Sequence, residues 1–375
     1  MSADLIVFGE DWGGHPSSTQ HLVRHLAADR KVVWVNSIGL RRPRLDARDL
    51  GRAWGKAKAC FGARGTAQTP SAPWPVVQPL ALPMVRGGAA RVVNRALIAR
   101  PVRRAAAAAG LRRPVVWTSL PSAVQALGAL GEAAVVYYCG DDFGALAGVD
   151  HDAALAMEAE LAERADLIFA ASPALAARFD PAKTHLLPHG VDTALFAEPA
   201  ARPADLPGGG PVAGFYGALA PWIDFALIAA SARLLPHWRF LLIGPVQADL
   251  SALEGIPNII RTGPRPHAAL PAYAQHWTAG LIPFLDTPQI RACNPLKLRE
   301  YLASGRPVVA TAFPALEPYR AHVSVAATAC DVAAALEASL AETAAGTAAR
   351  RAAVAGESWA ARAAAASVLM ARLAA

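Results

Sequence analysis

Two parallel, doubly wound α/β sheets joined by a glycine linker are what this sequence predicts, and three observations predict them. Short apolar runs alternate with helical patterns in both halves of the chain, which is the signature of repeated βαβ units. That alternation breaks once, at Leu206-Pro-Gly-Gly-Gly-Pro211, where three consecutive glycines do not hold regular structure cheaply. At 375 residues the chain also exceeds one comfortable hydrophobic core, so two domains follow.

The first half opens with a buried strand, Leu5 to Phe8. Gly9, Gly13 and Gly14 make a loop before a helix from Ser18 to Ala28, and a strand at Val32 to Val35 closes the first βαβ unit. The run Gly-Glu-Asp-Trp-Gly-Gly lacks the dinucleotide spacing and no acidic residue ends the second strand, which speaks against a nicotinamide enzyme. His21 and His25 lie one helical turn apart without a third ligand, so they read as a solvated face rather than a metal site. Residues 41–83 are broken by Pro70, Pro73, Pro75, Pro79 and Pro83 and read as loops and short helices. Arg86 to Gly110 reads as a basic helix carrying Val92, Val93, Leu97 and Ile98, kinked at Pro101.

Strands at Val115 to Trp117 and Ala134 to Tyr138 continue the sheet. Gly140-Asp141-Asp142-Phe143 follows the second, at the strand end where open α/β sheets hold reactive groups. Asp141 or Asp142 is therefore a candidate general base, with a turn or capping aspartate as the competing reading. Asp150-His151-Asp152 has the form of a metal-binding Asp-x-Asp, but it precedes a helix from Ala153 to Arg164, and capping explains it better. A buried strand at Leu167 to Ala170 and a segment from His185 to Pro188 end this half.

After the linker, strands read at Val212 to Tyr216, Phe240 to Ile243, Leu281 to Pro283 and Val308 to Thr311. Helices read near Phe225 to Leu235, Pro271 to His276, Leu296 to Ala303 and Ala333 to Ala345. The stretch from Cys293 to Thr311 narrows the chemistry most. Pro295 suits a first helical turn, Leu296, Tyr301 and Leu302 share an apolar stripe, and Gly305 before Pro307 stops the helix. Such a helix start presents free N–H groups and the positive dipole end, which favour a phosphate. Lys297 in the first turn can meet a diphosphate as a point charge, and Glu300 on the same face can accept hydrogen bonds from a vicinal diol. Diphosphate plus ribose diol is a nucleotide-sugar. The competing reading is an ordinary amphipathic helix with a solvated Lys–Glu pair.

These residues resemble the donor-binding element of GT-B glycosyltransferases, especially the large retaining family four. There a Glu, seven residues and a second Glu precede Gly-x-Pro-Val-Val. Glu300 matches the second Glu, but the first falls on Ala292, so the carboxylate that faces the donor sugar is missing and retention is not assumed. Asn294-Pro-Leu-Lys297-x-x-Glu300 instead resembles a branch that builds exopolysaccharides and teichuronic-type polymers, glucuronosyltransferases included, where a Lys takes the diphosphate. Asp11-Trp12, Ser17-Ser18-Thr19-Gln20-His21 and Val35-Asn36-Ser37 resemble that branch's N-terminus, which implies that the loop with Gly13 and Gly14 faces the donor phosphates.

His189-Gly190-Val191-Asp192 is similar to the Asn-Gly-Val-Asp that closes the family's first domain. Gly214, Gly217 and Ala218 resemble its second glycine turn, but Pro221-Trp222-Ile223-Asp224 replaces the Arg and Lys that usually follow, leaving Lys297 as the leading phosphate cation. Arg265 stands where the family has a nucleotide-facing loop, and Ser358-Trp359-x-x-Arg362 resembles its crossover back to the first domain. The implied architecture is GT-B, two doubly wound, Rossmann-like domains facing across a cleft: an acceptor domain 1–204 with a crossover helix 357–375, and a donor domain 205–356. The implied donor contacts are Gly13, Gly14, Gly217, Arg265, Asn294, Leu296, Lys297 and Glu300. If the enzyme inverts, Asp141 or Asp142 is the acceptor base, and if it retains, the family's usual front-face route gives the proton to the leaving phosphate; Lys297 is catalytic in either case. The expectation is a UDP-type donor, a carbohydrate or lipid-linked acceptor, and no cofactor or metal.

Composition adds a location. Four scattered cysteines, Cys60, Cys139, Cys293 and Cys330, read as reduced cytosolic thiols. Met1 leads straight into a strand and no eighteen apolar residues run together, so neither secretion nor membrane spanning is expected. The net charge of +7 is uneven: residues 50–131 hold twelve basic residues and no acidic one, while the rest of the chain has 24 basic against 29 acidic. A face that basic points to phosphates, and the expectation is peripheral docking at the cytoplasmic side of an anionic membrane through the arginines plus Trp54, Phe61, Trp74, Val92, Val93, Leu97 and Ile98. Two rivals remain. A nucleotide-sugar 2-epimerase of the same fold would need no basic face and would yield a new monosaccharide nucleotide. A nucleic-acid-binding protein would use the basic segment, but that segment lacks a recognition helix or aromatic stacking motif, so no nucleic acid partner is expected.

Overall fold

A computed structural model of the chain describes residues 2–14, 16–38, 72–81, 88–146 and 149–373. The readings of residues 41–71, with Trp54 and Phe61, and of Arg86 lie outside that range. The chain folds as two compact units, Met1–Pro188 with Arg362–Ala375, and His189–Ala361.

Among its described residues the first unit holds seven parallel strands: β1 Leu5–Phe8, β2 Val32–Val35, β3 Val76–Val77, β4 Val115–Thr118, β5 Ala134–Cys139, β6 Leu167–Ala170 and β7 Thr184–Leu186. Their order is β3-β2-β1-β4-β5-β6-β7. Every residue of β1, β2, β4, β5 and β6 is buried, which is why these strands read as continuous apolar runs rather than alternating ones. Phe8 lies opposite Val35 and Thr118, and Thr118 opposite Tyr137, so the chain leaves β1, β2, β4 and β5 at one edge. Strand order reverses between β1 and β4, and ligands of open α/β sheets gather outside the carboxyl ends at such a point.

The second unit holds β8 Val212–Tyr216, β9 Arg239–Ile243, β10 Ile259–Arg261, β11 Ala279–Ile282, β12 Val308–Ala310 and β13 Ser324–Val325, again all parallel. The order is β10-β9-β8-β11-β12-β13, reversing between β8 and β11. Four strands among the described residues were not read from the sequence, β3, β7, β10 and β13; they are the edge strands of the two sheets and span two or three residues each, too short for a period to show.

Several expectations need correction. The division falls at Pro188/His189, ahead of the glycine linker. Val191 bridges to Ser358 in the second unit, Phe196 is buried in its core, and Gln275 donates to the Phe196 and Glu198 carbonyls, so residues 189–205 pack there. The expected helix at Ala333 to Ala345 is instead Ala329–Ala338, opened by a Thr328/Asp331 capping box, followed by Ala344–Val354. The basic helix is observed as Gly88–Ala108, with Pro101 inside it, but Ile98 faces the core rather than solvent. Trp74 packs against Trp12 and Trp34 and is likewise no surface anchor. Asp150 caps the helix His151–Arg164 through the Ala153 N–H, as the capping reading requires.

Candidate functional site

In the second unit the helix Leu296–Ser304 is the centre of the arrangement. Pro295 is its N-cap and offers no side-chain acceptor, so the first-turn N–H groups have none from a cap. Gly305 ends it in the left-handed region at φ 82°, where a Cβ would come within 2.6 Å of Thr347 Cγ2. The buried stripe is Leu298, Tyr301 and Leu302, while Leu296 stays partly exposed at the first turn. Arg299 is buried, donates to Glu357 and Asn294, and lies over the Tyr319 ring. That clamp fixes the helix start.

Lys297 is half-buried, with Nζ 5.4 Å from the Phe215 ring centroid and 5.5 Å from that of Phe284. Phe215 is on β8 and Phe284 lies just beyond β11, so the ammonium sits over the point where strand order reverses. Room for it comes from Gly217: at φ 133° a Cβ there would stand 3.1 Å from Lys297 Cε and Nζ. Among the described residues no hydrogen bond or ion pair takes Nζ. Burial lowers its pKa, with Glu300 and Cys293 opposing.

Glu300 is buried, and both oxygens are oriented. Tyr216 Oη donates to Oε2 at 2.7 Å, and His267 Nε2 lies 3.2 Å from Oε1. Tyr301 Oη accepts from the Tyr216 N–H at 3.1 Å, and Tyr216, Trp277 and Tyr301 form a mutual aromatic cluster. The helix and β8 are thereby locked together, which sets the position of the carboxylate.

In the first unit, the carboxyl edge of the sheet carries Glu10 after β1 and Asp141 and Asp142 after β5. Asp142 Oδ1 accepts from the Gly144 N–H at 3.0 Å and pairs with Arg178 at 2.8 Å. Arg178 also donates to Glu158, a buried carboxylate that accepts from Tyr137 Oη at 2.7 Å. Asp141 is exposed and its carboxylate makes no hydrogen bond among the described residues. Desolvation, and after it the Glu10 and Asp142 carboxylates, push its pKa up to about 6. An exposed group keeps water on one side, so the carboxylate repulsion is the firmer contribution. Glu10 Oε2 is enclosed and lacks a hydrogen-bond partner among the described residues.

Residues 210–343 match the family model described as "Glycosyl transferases group 1". TuaH of Bacillus subtilis (strain 168), described as a teichuronic acid biosynthesis glycosyltransferase, is 36% identical over 170 residues, covering 42% of this chain and 43% of TuaH. The match therefore spans less than half of that relative. Solved structures align over nearly the whole chain. Sucrose-phosphate synthase from Thermosynechococcus elongatus has a TM-score of 0.69 at 18% identity, with 99% of each chain covered. Anabaena HepE in complex with UDP and glucose has 0.60 at 14%, with 99% of this chain and 98% of that one covered.

The chain has the GT-B fold, and residues 210–343 of its second unit match the group 1 glycosyltransferase model.

Within this GT-B frame the expected residues separate. Gly217, Leu296, Lys297 and Glu300 converge on the carboxyl edge of the second sheet. Arg265 does not join them: it is bound to Asp205 at 2.6 Å, to Tyr273 Oη and to the Thr262 carbonyl. The Asn294 side chain is engaged by Arg299. In the first unit Gly13, at φ 87°, and Gly14 lie in the loop after β1, and the structure distinguishes the two aspartates, Asp142 bonded and Asp141 open. The sequence reading missed Glu10, Tyr216 and His267. Glu10 had a signal, since it directly follows a strand end; the other two have none, because only the fold brings them to their carboxylate partner.

Proposed function

We propose that the protein transfers a hexosyl group from a UDP-sugar to a hydroxyl of a carbohydrate or lipid-linked acceptor in cell-surface polysaccharide synthesis, without a metal. The observation that carries this reading is Lys297: a half-buried ammonium over the switch point of the second sheet, without an acceptor among the described residues. Departure of UDP builds negative charge on the β-phosphate, and a cation already held in place stabilises that charge without reorganising. Glu300 contributes differently. A carboxylate has about four acceptor positions; Tyr216 and His267 occupy one on each oxygen, and the remaining ones suit the two hydroxyls of a ribose. UDP in the similar Anabaena protein supports the base assignment, and the name of TuaH supports the pathway.

Asp141 is the acceptor base in this proposal. With a pKa near 6 it is largely ionised at neutral pH yet more basic than an ordinary carboxylate, which suits abstraction of a hydroxyl proton. Backside attack of that hydroxyl on the anomeric carbon breaks the bond to the phosphate oxygen, the proton passes to Asp141 and the electron pair leaves with UDP. The product is inverted.

A panel of nucleotide-sugars tested by thermal shift and by release of nucleoside diphosphate checks the donor. A UDP-sugar should raise the Tm and release UDP. A panel in which no UDP-sugar does either overturns the donor reading. The anomeric proton of the product, read by NMR, checks the base: a retained configuration overturns the role of Asp141.

A further inference from the structure

Among the described residues, nothing covers one face of the helix Gly88–Ala108. Asn94, Ile98, Val102 and Ala106 recur every four residues and are buried, so the opposite side is turned to solvent. There an open groove of about 680 Å³ runs beside the helix, with Arg95, Arg100, Arg103 and Arg104 among its lining and no carboxylate. None of these four arginines has a hydrogen bond or ion pair among the described residues, whereas Arg91 is tied to Glu160 at 2.6 Å and is not free. At the start of the same helix Val92, Val93 and Leu97 are 68%, 46% and 36% exposed.

We infer that this face docks on an anionic lipid bilayer. Unpaired guanidinium groups beside exposed aliphatic side chains suit the headgroup boundary: the aliphatic groups enter the acyl region, and the arginines spread their stems along the groove and hold phosphates. A soluble anion would satisfy the arginines and leave the valines and the leucine in water; a bilayer covers both. The charges are complementary on the scale of the helix, which at ~1.5 Å per residue extends roughly 30 Å. Among the described residues no helix is long and apolar enough to cross a membrane, so the contact is with the surface. The inference deepens the proposed activity by favouring a lipid-linked acceptor, but it concerns the first unit alone and is tested without turnover.

The test is flotation of the full chain with phosphatidylcholine vesicles carrying increasing phosphatidylglycerol. Bound protein should rise with the anionic fraction. It should fall when salt goes from about 0.1 M to about 1 M, as the screening length shrinks from about 10 Å to about 3 Å. Arg100→Ser with Arg103→Ser should weaken partitioning by about fivefold per arginine. Arg261→Ser with Arg320→Ser, exposed in the second unit and equal in charge change, should leave it near wild type. Val92→Ser with Leu97→Ser should weaken binding to the same vesicles without changing its salt dependence. All these sites are exposed, and the far-UV circular dichroism melt of each variant reports whether it remains folded. Inorganic phosphate at millimolar concentration should not displace the vesicles. The inference is overturned by failure to float with anionic vesicles at low salt, by equal loss in the two arginine pairs, by displacement with free phosphate, or by binding of duplex DNA in place of vesicles.

Discussion

Replacing Lys297 by Ala removes the cation placed over the switch point of the second sheet. The magnitude follows from its surroundings. Because no carboxylate among the described residues forms an ion pair with Nζ, Glu300 acting on it only at longer range, and because Phe215 and Phe284 exclude water from two sides, the charge is available to the leaving group. Loss of a preorganised donor to a developing oxyanion costs about 10² to 10³ in kcat. Ground-state binding of a diphosphate that is still well solvated should weaken less, by under about tenfold, or roughly 1.4 kcal/mol. Steady-state kinetics at saturating UDP-sugar, with UDP affinity by calorimetry, separate the two quantities. Lys297→Arg should not rescue turnover: the space left by the missing Cβ of Gly217 is taken up by Lys297 Cε and Nζ, and a planar guanidinium is larger than the ammonium. Gly217→Ala should behave like a milder Lys297 variant, since its Cβ displaces Nζ and its φ of 133° strains any L side chain. An unchanged kcat in Lys297→Ala with a raised KM for donor would refute the reasoning, because it would make the lysine a uniform binder.

Glu300→Ala should reduce donor affinity by about 10- to 100-fold, the worth of one or two charge-assisted hydrogen bonds, measured by titration with UDP; 2′-deoxyuridine diphosphate, which keeps only the 3′-hydroxyl, should bind wild type more weakly than UDP does and lose less on the substitution. The acid limb of kcat/KM should fall near pH 6 as Asp141 takes up its proton, and Asp141→Asn should abolish turnover while leaving UDP binding intact. Folding carries the opposite sign: a carboxyl whose folded pKa is raised is stabilising below its unfolded pKa of about 3.9 and loses that contribution as pH rises through about 6. Asp141→Asn should therefore raise the Tm at pH 7 and make no difference below about pH 4, and a lower Tm at pH 7 would contradict the repulsion by Glu10 and Asp142. Arg178→Ala should destabilise the first unit by about 3 kcal/mol in denaturant unfolding, the low end for a buried pair because Arg178 is partly exposed, since it leaves the buried Glu158 carboxylate without its cationic partner. Adding Glu158→Gln to that variant should recover part of the loss.

The sequence by itself determined the two parallel sheets, most strand positions and the helix from Leu296 to its glycine stop. The reason is local: strands buried on both faces read as unbroken apolar runs, and proline and glycine mark helix ends by fixed φ or by tolerance of positive φ. It also brought Lys297 and Glu300 together, since a spacing of three on a helix puts them on one face. What the sequence left open were matters of long-range packing. Residues 189–205 read as the end of the first domain, but Val191 finds its β-bridge at Ser358 and Gln275 takes up two of the segment's carbonyls, partners far along the chain. Ile98 and Arg100 are near neighbours in one basic helix, and only the sheet beneath decides that the first is core and the second solvent. Asp141 and Asp142 are adjacent and chemically identical in sequence; the tertiary structure separates them, because Arg178, itself held by Glu158, can reach only one of the two.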